Sequence, residues 1–232
     1  MSRSSVRRQA AGVAAAGVLG LAAAVAPVHP ASAAVPSSTT VVLSAAQSSF
    51  GQLVTASAAV TTPAGPAEGD VVFSVDGVAF KANLGASGTA SLVLPRAAVG
   101  AHAVQATFLP RDPLRQDGST SPSVAWQVVP VRTRLQVRVT GKRLRAPIAV
   151  HVRAAGDYGT TPSGQVRIVV RKSGRKVRVA RGTLEGGAVG GRLLLDPGPS
   201  RRGRYRVQVT YRGDADHLAA TREVRFRIGA RR

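Results

Sequence analysis

Apolar and polar residues alternate in short segments along most of the chain after residue 34. Two of these segments share one motif about a hundred residues apart. Gly100–Phe108 and Gly203–Tyr211 both read G-x-[HY]-x-V-Q-x-T-[FY]. Alternation with period two is the pattern of a half-buried β-strand. A repeat at domain-sized spacing therefore predicts one β unit that is built twice.

Further predicted strands of the two repeats also align with each other. Gly69–Asp76 aligns with Gly164–Arg171, and Val124–Val128 aligns with Val224–Ile228. Glycine- and proline-rich turns separate such segments, and no long amphipathic helix competes with them. The turns are Thr62–Pro66, Gly85–Gly88, Thr161–Gly164 and Gly186–Gly187. The pattern predicts an all-β fold of two tandem immunoglobulin-like β-sandwich domains.

The first 33 residues follow a different pattern, that of an export signal. Arg3, Arg7 and Arg8 precede an apolar run from Ala10 to Val28, and Ala31–Ala33 supplies the small residues that a signal peptidase accepts. Cleavage is favoured over a transmembrane anchor because the run is rich in alanine and glycine and contains proline. Ordinary secretion is favoured over twin-arginine export, since no bulky apolar residues follow the arginine pair. We expect a secreted, extracellular protein with no membrane segment after signal removal.

The remaining chain contains no cysteine, which excludes disulfides, thiol catalysis and a lipid anchor. Its length suits two sandwiches, predicted as residues 34–129 and 130–232. The short linker around Pro130 predicts a semi-rigid connection. Trp126 aligns with Phe226 and is expected in the core, with packing at the junction between domains as the alternative.

Charge is distributed very unevenly between the two predicted domains. Residues 34–129 carry 4 basic and 5 acidic side chains, whereas residues 130–232 carry 25 basic and 6 acidic ones. The first domain is therefore nearly neutral and the second is a polycation. The excess of 28 arginines over 4 lysines can reflect a G+C-rich genome, but codon bias does not explain the difference between two repeats of one gene.

Strand alternation predicts where the positive charge lies. The inward residues of three strands are expected to be Val166, Ile168 and Val170, then Tyr205 and Val207, and then Phe226. The arginines that flank them then face water, and these strands lie side by side in an immunoglobulin-type sheet. The arginines are Arg167, Arg171, Arg204, Arg206, Arg225 and Arg227, with Lys176 and Arg178 of the next strand as further candidates. The equivalent positions of the first repeat are Val72, Asp76, Ala101, Ala103, Ala125 and Gln127. The core pattern is thus kept while the surface differs.

A dense arginine face binds polyanions, because each guanidinium can form a fork of hydrogen bonds to phosphate, sulfate or carboxylate. For an exported protein the candidate partners are anionic cell-wall or extracellular polysaccharides, teichoic-type phosphates among them. Nucleic acid is less favoured, since Tyr205, Tyr211 and Phe226 are expected in the core and few other aromatics could stack on bases. The alternative is that the charge only keeps the protein soluble.

Several motifs resemble the bacterial Ig-like repeats of secreted and surface proteins, especially of actinobacteria. They are Thr39–Thr40, Phe50–Thr55, Gly69–Phe73, Gly88–Leu92, Val99–Phe108 and Thr210–His217. The segment Arg132–Ala154 departs furthest from the family pattern. The resemblance implies a β-sandwich that serves as a spacer, adhesion or glycan-binding module without catalysis.

No residue set points to an enzyme, a cofactor or a metal site. His102 is expected to form a hydrogen bond near a strand corner, His151 faces outward, and His217 lies in a loop. Asp214 and Asp216 supply too few ligands for calcium and favour a turn. We expect a non-catalytic protein whose basic domain binds an anionic envelope polymer. Two rivals are a purely structural spacer and an accessory glycan-binding pair for a separate enzyme.

Overall fold

The computed structural model describes residues 33–63, 65–189, 193–195 and 201–229. Residues 1–32, on which the predicted signal peptide falls, lie outside the described residues. The described part is built from β-strands and contains one short 3-10 turn, Asp157–Gly159. Within it, no helix has the length and apolar character needed to cross a membrane. The prediction of an all-β fold is confirmed.

Nine strands form the first half of the described chain, which we define as residues 33–129. The strands are β1 (Ser38–Leu43), β2 (Gln47–Ser49), β3 (Thr55–Thr61), β4 (Gly69–Val75), β5 (Val78–Asn83), β6 (Thr89–Val93), β7 (Gly100–Pro110), β8 (Ser119–Thr120) and β9 (Val124–Val129). A three-stranded sheet in the order β1-β3-β6 faces a second sheet in the order β2-β9-β7-β4-β5, and β8 also pairs with β7. This is the two-sheet arrangement of an immunoglobulin-like sandwich.

Alternating apolar residues of both sheets fill the space between them. Phe73, Val104 and Phe108 are completely buried, and Trp126 is 3% exposed within the same cluster. The Trp126 indole donates a hydrogen bond from Nε1 to Ser48 Oγ at 2.9 Å. Trp126 therefore belongs to the core of the first half, as its alignment with Phe226 predicts.

We define the second half as residues 130–229, and its described part contains eight strands. They are β10 (Thr133–Thr140), β11 (Ile148–Gly156), β12 (Gly164–Lys172), β13 (Arg175–Glu185), β14 (Ala188–Val189), β15 (Leu193–Leu195), β16 (Gly203–Tyr211) and β17 (Ala220–Ile228). The segment that departs furthest from the family pattern thus forms two regular paired strands, β10 and β11. A second cluster that includes Val207, Tyr211 and Phe226 forms the core of this half.

The second half differs from the first because its strands form one sheet instead of two. The order is β10-β11-β14-β13-β12-β16-β17, and β15 pairs with β11. The short strand β14 makes the link, since Ala188 pairs with Arg153 on one side and with Glu185 on the other. A Cβ atom at Gly187 would lie 2.7 Å from the Ala154 carbonyl oxygen, so this close approach requires glycine. The tight Gly186–Gly187 turn connects β13 to β14, and β14 in turn pairs with β11.

The two halves are in contact around the linker and the loop before β17. Within the second half, Val131 beside the linker is bonded to the loop before β17: its N–H donates to the Asp216 carbonyl and its carbonyl accepts from the Leu218 N–H, both at 2.8 Å. The Phe50 ring of the first half packs edge-on against the His217 ring, with 5.8 Å between centroids. At Gly51 a Cβ atom would lie 2.4 Å from Thr160 Cγ2. The junction is therefore packed, and Phe50 rather than Trp126 supplies its aromatic side chain.

Candidate polyanion interface

Five arginines of three neighbouring strands lie on one outer face of the second half. Arg171 of β12 pairs with Arg206 of β16, which in turn pairs with Arg225 of β17. One step further along, Arg204 pairs with Arg227. Directly paired residues of antiparallel strands point to the same side of a sheet. The structure therefore arranges these five side chains in two adjacent rows, which we call the arginine face.

An open groove of about 690 Å³ runs along the arginine face. All five arginines line it, and the Ser173–Gly174 turn between β12 and β13 borders it. Tyr205 and Phe226 also contribute to the lining, but they are only 4% and 6% exposed and their rings stack with 5.5 Å between centroids. The chemistry that the groove offers to a ligand is consequently that of guanidinium groups.

The remaining candidates are placed around this face in different ways. Lys176 pairs with Arg171 and so extends the first row onto β13. Arg167 pairs with Thr210 and is separated from the face by the row that contains Val169 and Gln208. Arg167 is therefore on the same side of the sheet but one row away.

Arg178 lies on the opposite side of β13 from Lys176. A β-bulge shifts the register between Val170 and Arg171, so that Arg178 pairs with Val170, whose side chain is in the core. A bulge inserts one extra residue and reverses the alternation that follows it. Alternation alone would have placed Lys176 and Arg178 on one side, and the bulge is the physical reason for the difference.

Among the residues that the structure describes, one carboxylate accompanies the arginine face. Glu223 Oε1 lies 3.3 Å from Arg206 Nε and 3.5 Å from Arg225 Nε. Among the described residues, Arg171, Arg204 and Arg227 form no ion pair, although Arg171 Nη1 donates to the Gly174 carbonyl at 3.4 Å. Both of these contacts are made through Nε, and each guanidinium also has two terminal nitrogens that can donate hydrogen bonds. The face keeps a large excess of positive charge.

The corresponding face of the first half carries no arginine. Ala101 pairs with Gln127 and Ala103 pairs with Ala125, at the positions where the second half has its two rows. Asp76 lies in the β4–β5 turn, where its carboxylate accepts hydrogen bonds from Ala103 N–H and His102 Nδ1. The two halves therefore share an inner pattern and differ on the surface.

The histidines make local hydrogen bonds. His102 lies between the Asp76 carboxylate, 2.6 Å from Nδ1, and the Ala98 carbonyl, 2.8 Å from Nε2. Its pKa is raised mainly by the hydrogen bond with Asp76, against the effect of burial. His151 contacts Thr140 Oγ1 at 3.2 Å. The expected hydrogen bond of His102 near a strand corner is confirmed.

The Asp214 carboxylate organises the loop that contains His217. It accepts hydrogen bonds from Ser163 N–H, Asp216 N–H and His217 Nδ1 at 2.8 to 2.9 Å. Burial acts to raise the pKa of Asp214, but these hydrogen bonds hold it well below its usual range. In the described residues, no group of three or more histidine or acidic side chains is arranged to hold a metal ion. The Asp214 carboxylate therefore stabilises a turn, as the spacing of Asp214 and Asp216 predicts.

Comparison with known proteins identifies part of the chain. Residues 40–129 match the family model described as bacterial Ig-like domain (group 3). The match thus ends where the linker begins. No curated protein matches the chain significantly.

Similar solved structures include four tandem repeats from the extending region of a large adhesion protein, with 18% identity and a TM-score of 0.44 over 83% of this chain and 49% of that one. The fibronectin(III)-like modules of Clostridium thermocellum CbhA are 17% identical, with a TM-score of 0.31 over 82% of this chain and 95% of theirs. The Yersinia pseudotuberculosis adhesin InvE is 16% identical, with a TM-score of 0.36 over 81% of this chain and 58% of that one. This chain spans about half the length of the tandem-repeat structure.

Proposed function

We propose that this chain, whose residues 40–129 form a bacterial Ig-like domain, is a non-catalytic envelope protein that binds an anionic polymer through the arginine face. Ig-like domains serve as scaffolds on which separate binding surfaces evolve. The first half then acts as a spacer or contacts another partner. The apolar, arginine-preceded segment at residues 1–33 supports a site of action outside the cytoplasm.

The observation that carries this proposal is the convergence of five guanidinium groups on one open groove, which only the Glu223 carboxylate accompanies in the described part of the chain. Guanidinium groups form paired hydrogen bonds with phosphate and sulfate oxygens. Binding of a polyanion also releases the counterions that surround it, which adds a favourable entropy at low salt. A surface of this kind binds multivalent anions far better than it binds neutral sugars.

The spacing of the arginines favours a polymer over a small anion. Paired residues on neighbouring strands are about 5 Å apart, and residues two apart along one strand are about 7 Å apart. A single phosphate cannot contact all five side chains across these distances, whereas a chain with repeated charges can. We therefore expect the spacing of the charges along the polymer to be similar to the spacing of the two rows of arginines.

The aromatic residues argue against a ligand that binds by stacking. Tyr205 and Phe226 lie beneath the groove with their rings buried, so they offer no flat surface to a nucleobase or a sugar ring. An accessory glycan-binding role would need such a surface. The groove thus supports anionic wall or extracellular polysaccharide ahead of nucleic acid or neutral glycan.

A charge-matched pair of variants tests the proposal in the full chain. The groove variant changes four arginines to glutamine: Arg204, Arg206, Arg225 and Arg227. The control variant removes the same charge from exposed arginines on and next to β10 and β11: Arg138, Arg143, Arg145 and Arg153. Binding to immobilised linear polyphosphate and to heparin is measured as a function of salt.

The unmodified chain and the control should lose affinity with a slope of log K against log salt of roughly −3 to −4. The groove variant should bind at least about tenfold more weakly, with a much shallower slope, because it lacks most of the contacting cations. Equal loss in both variants would mean that binding follows net charge alone. No salt-dependent binding by the unmodified chain would support the purely structural spacer.

A further inference from the structure

A second groove, with a volume of about 360 Å³, lies at the junction between the two halves, and we call it the junction groove. The first half contributes Phe50 and Arg96 to its lining. The second half contributes the loop before β12 and the loop before β17, through residues between 159 and 163 and between 214 and 217. This volume lies at the lower end of the range for small-molecule sites, so the groove suits a ligand no larger than a short peptide or one sugar ring.

One wall of the junction groove is buried and held in a fixed position. The side chain of His217 is only 3% exposed, and its Nδ1 lies 2.8 Å from Asp214 Oδ1. Its ring packs against Phe50 of the other half. Within the described residues, His217 Nε2 has no hydrogen-bond partner. Buried polar atoms normally have partners, so this wall favours a polar ligand over an apolar one.

Asp216 presents a carboxylate from a fixed backbone. Its N–H donates to Asp214 Oδ1 at 2.9 Å, and its carbonyl accepts from the Val131 N–H at 2.8 Å. In the part of the chain that the structure describes, the Asp216 carboxylate itself has neither an ion pair nor a hydrogen bond. The described residues therefore leave one negative charge of the groove without a partner.

Arg96 brings a positive charge to the groove from the first half. It lies between β6 and β7, in a segment that is anchored by buried Leu94, whose N–H donates to the Val54 carbonyl at 2.8 Å. Val99, at the other end of this segment, packs against the core of the first half. Arg96 itself is exposed, and none of the described side chains forms an ion pair with it. The two halves thus contribute opposite charges to one groove.

These opposite charges decide which kind of ligand the groove suits. A simple anion meets the carboxylates of Asp214 and Asp216, and a simple cation meets Arg96, so neither binds without an opposing repulsion. A neutral sugar would leave both charges without a partner, and Phe50 is half-buried with its ring packed against His217. A molecule with an ammonium group and a carboxylate satisfies both charges.

We propose that the junction groove binds a short zwitterionic peptide, with its ammonium group at Asp216 and its carboxylate at Arg96. Charge-assisted hydrogen bonds supply the affinity, and the exposed Thr161 hydroxyl in the lining offers a further hydrogen bond. A bound peptide contacts both halves and therefore stabilises the junction. This site is separate from the arginine face and does not depend on polymer binding.

The first half has the same turn without this carboxylate. The Leu114 N–H donates to Asp112 Oδ1 at 3.0 Å, as the Asp216 N–H does to Asp214 Oδ1. Leu114 therefore occupies the position of Asp216, and Asp112 forms an ion pair with Arg115 at 3.3 Å. The unpaired carboxylate is thus a property of the second half, at the point where it meets the first.

Dialanine is a suitable probe because it is small enough for the groove and carries both charged ends. N-acetyl-dialanine lacks the ammonium group and dialanine amide lacks the carboxylate, so each is a control for one contact. Binding to the full chain is measured from the amide chemical shifts of Arg96, Thr161 and Ala215, which separates the groove from any contact of a peptide with the arginine face. Dialanine should bind at least about fivefold more tightly than either control peptide.

Substitutions of the two charged residues locate the two ends of the peptide. Arg96→Gln should weaken dialanine binding by at least about fivefold but change binding of dialanine amide by less than about twofold, because the amide has no carboxylate contact to lose. Asp216→Asn should have the corresponding effects on dialanine and N-acetyl-dialanine. The controls Arg111→Gln and Asp117→Asn remove the same charges from exposed residues outside the groove and should change binding by less than about twofold. Neither groove substitution should change polyphosphate binding, so a failure of this proposal is distinct from a failure of the arginine face.

Comparison of the three peptides on the unmodified chain keeps the test decisive if a variant fails to fold. Equal binding of the three peptides, or unchanged shifts of the groove amides at high dialanine concentration, would overturn the proposal. A different result for the variants without peptide would also overturn it. If Arg96→Gln and Asp216→Asn each lower the free energy of unfolding and the double variant loses no more than either alone, the two side chains form an ion pair with each other instead.

Discussion

The two halves of this protein share an interior and differ in the surface that covers it. Val104 and Val207 occupy the same place in the repeated motif, and both are completely buried. The positions beside them are Ala101 and Ala103 in the first half but Arg204 and Arg206 in the second. Packing constrains the inward residues tightly, whereas outward residues are free to change. The comparison teaches that the inner set specifies the fold and that the outer set is where the two halves differ.

A second comparison concerns the corner before the long strand of each half. His102 and Tyr205 are equivalent, and each reaches back four residues to a backbone carbonyl, that of Ala98 at 2.8 Å and that of Arg201 at 2.5 Å. A tyrosine in this place is a known feature of immunoglobulin-like sandwiches. The first half therefore builds the same corner with a side chain that changes charge near neutral pH.

Truncation of a core residue in one half should have the largest effect on the free energy of unfolding. Phe108 and Tyr211 are equivalent, completely buried and members of different clusters. Phe108→Ala should cost about 3–5 kcal/mol of unfolding free energy in the first half. Amide hydrogen exchange should then speed up in residues 38–129 and stay unchanged in residues 133–228. Tyr211→Ala is the control and should give the reverse distribution. Equal acceleration in both halves would show one cooperative unit.

Substitution of the aspartates that follow β7 and β16, Asp112 and Asp214, should have an intermediate effect on the free energy of unfolding. Asp214→Ala leaves the buried His217 ring and the Ser163 and Asp216 N–H groups without their acceptor, so we expect a loss of about 1–3 kcal/mol. Asp112 of the first half is exposed and accepts one such bond, from Leu114 N–H. Asp112→Ala should cost less than about 1 kcal/mol. Urea unfolding of the two variants measures the difference, and similar losses would contradict the assigned role of Asp214.

The smallest effect is a dependence on pH that is specific to the first half. The pKa of His102 is raised in the folded state. Its contribution to the free energy of unfolding is therefore fully present below about pH 6.5 and is lost as pH rises through the folded pKa. The pKa of Asp76 is lowered, mainly by the Ala103 N–H, so its contribution is lost only as pH falls through its own folded pKa. The loss above neutral pH should be about 1 kcal/mol, because a charge-assisted hydrogen bond becomes a neutral one.

Substitution with the residue of the other half tests this assignment. His102→Tyr should flatten the dependence of thermal unfolding on pH between about 6 and 9, since a tyrosine does not change charge there. Substitution of His151 with glutamine is the control and should leave the dependence in place. An unchanged pH dependence in His102→Tyr would assign it to another group.

Much of the fold could be predicted from the alternation of residues within each strand. The strands at Gly69, Gly100, Gly164 and Gly203 begin where the pattern places them, and Phe73, Phe108, Tyr205 and Tyr211 are buried as expected. The two rows of the arginine face follow from the same alternation, once the pairing of β12, β16 and β17 is known. A period-two pattern is a reliable guide because burial on one face leaves little freedom of register.

Other features depend on pairings that no single strand encodes. The one-sheet arrangement of the second half depends on Ala188, which pairs with strands on both sides. The side of β13 on which Arg178 lies depends on a bulge, for which the sequence has no distinct signal. The Phe50–His217 contact joins residues of different halves. The sequence indicates these pairings only indirectly, through Gly186–Gly187 and through Gly51 after Phe50, because glycine often marks a close approach between backbone segments.

Chemical labelling of arginine in the presence of linear polyphosphate is the most direct test of the claim that anion binding lies on the second half's outer face. A dicarbonyl reagent modifies exposed guanidinium groups, and mass spectrometry reports each site. We expect polyphosphate to protect Arg204, Arg206, Arg225 and Arg227 strongly, and to leave Arg111 and Arg138 reactive. Equal protection at all of these arginines, or protection centred on Arg138, would contradict the arginine face as the binding site.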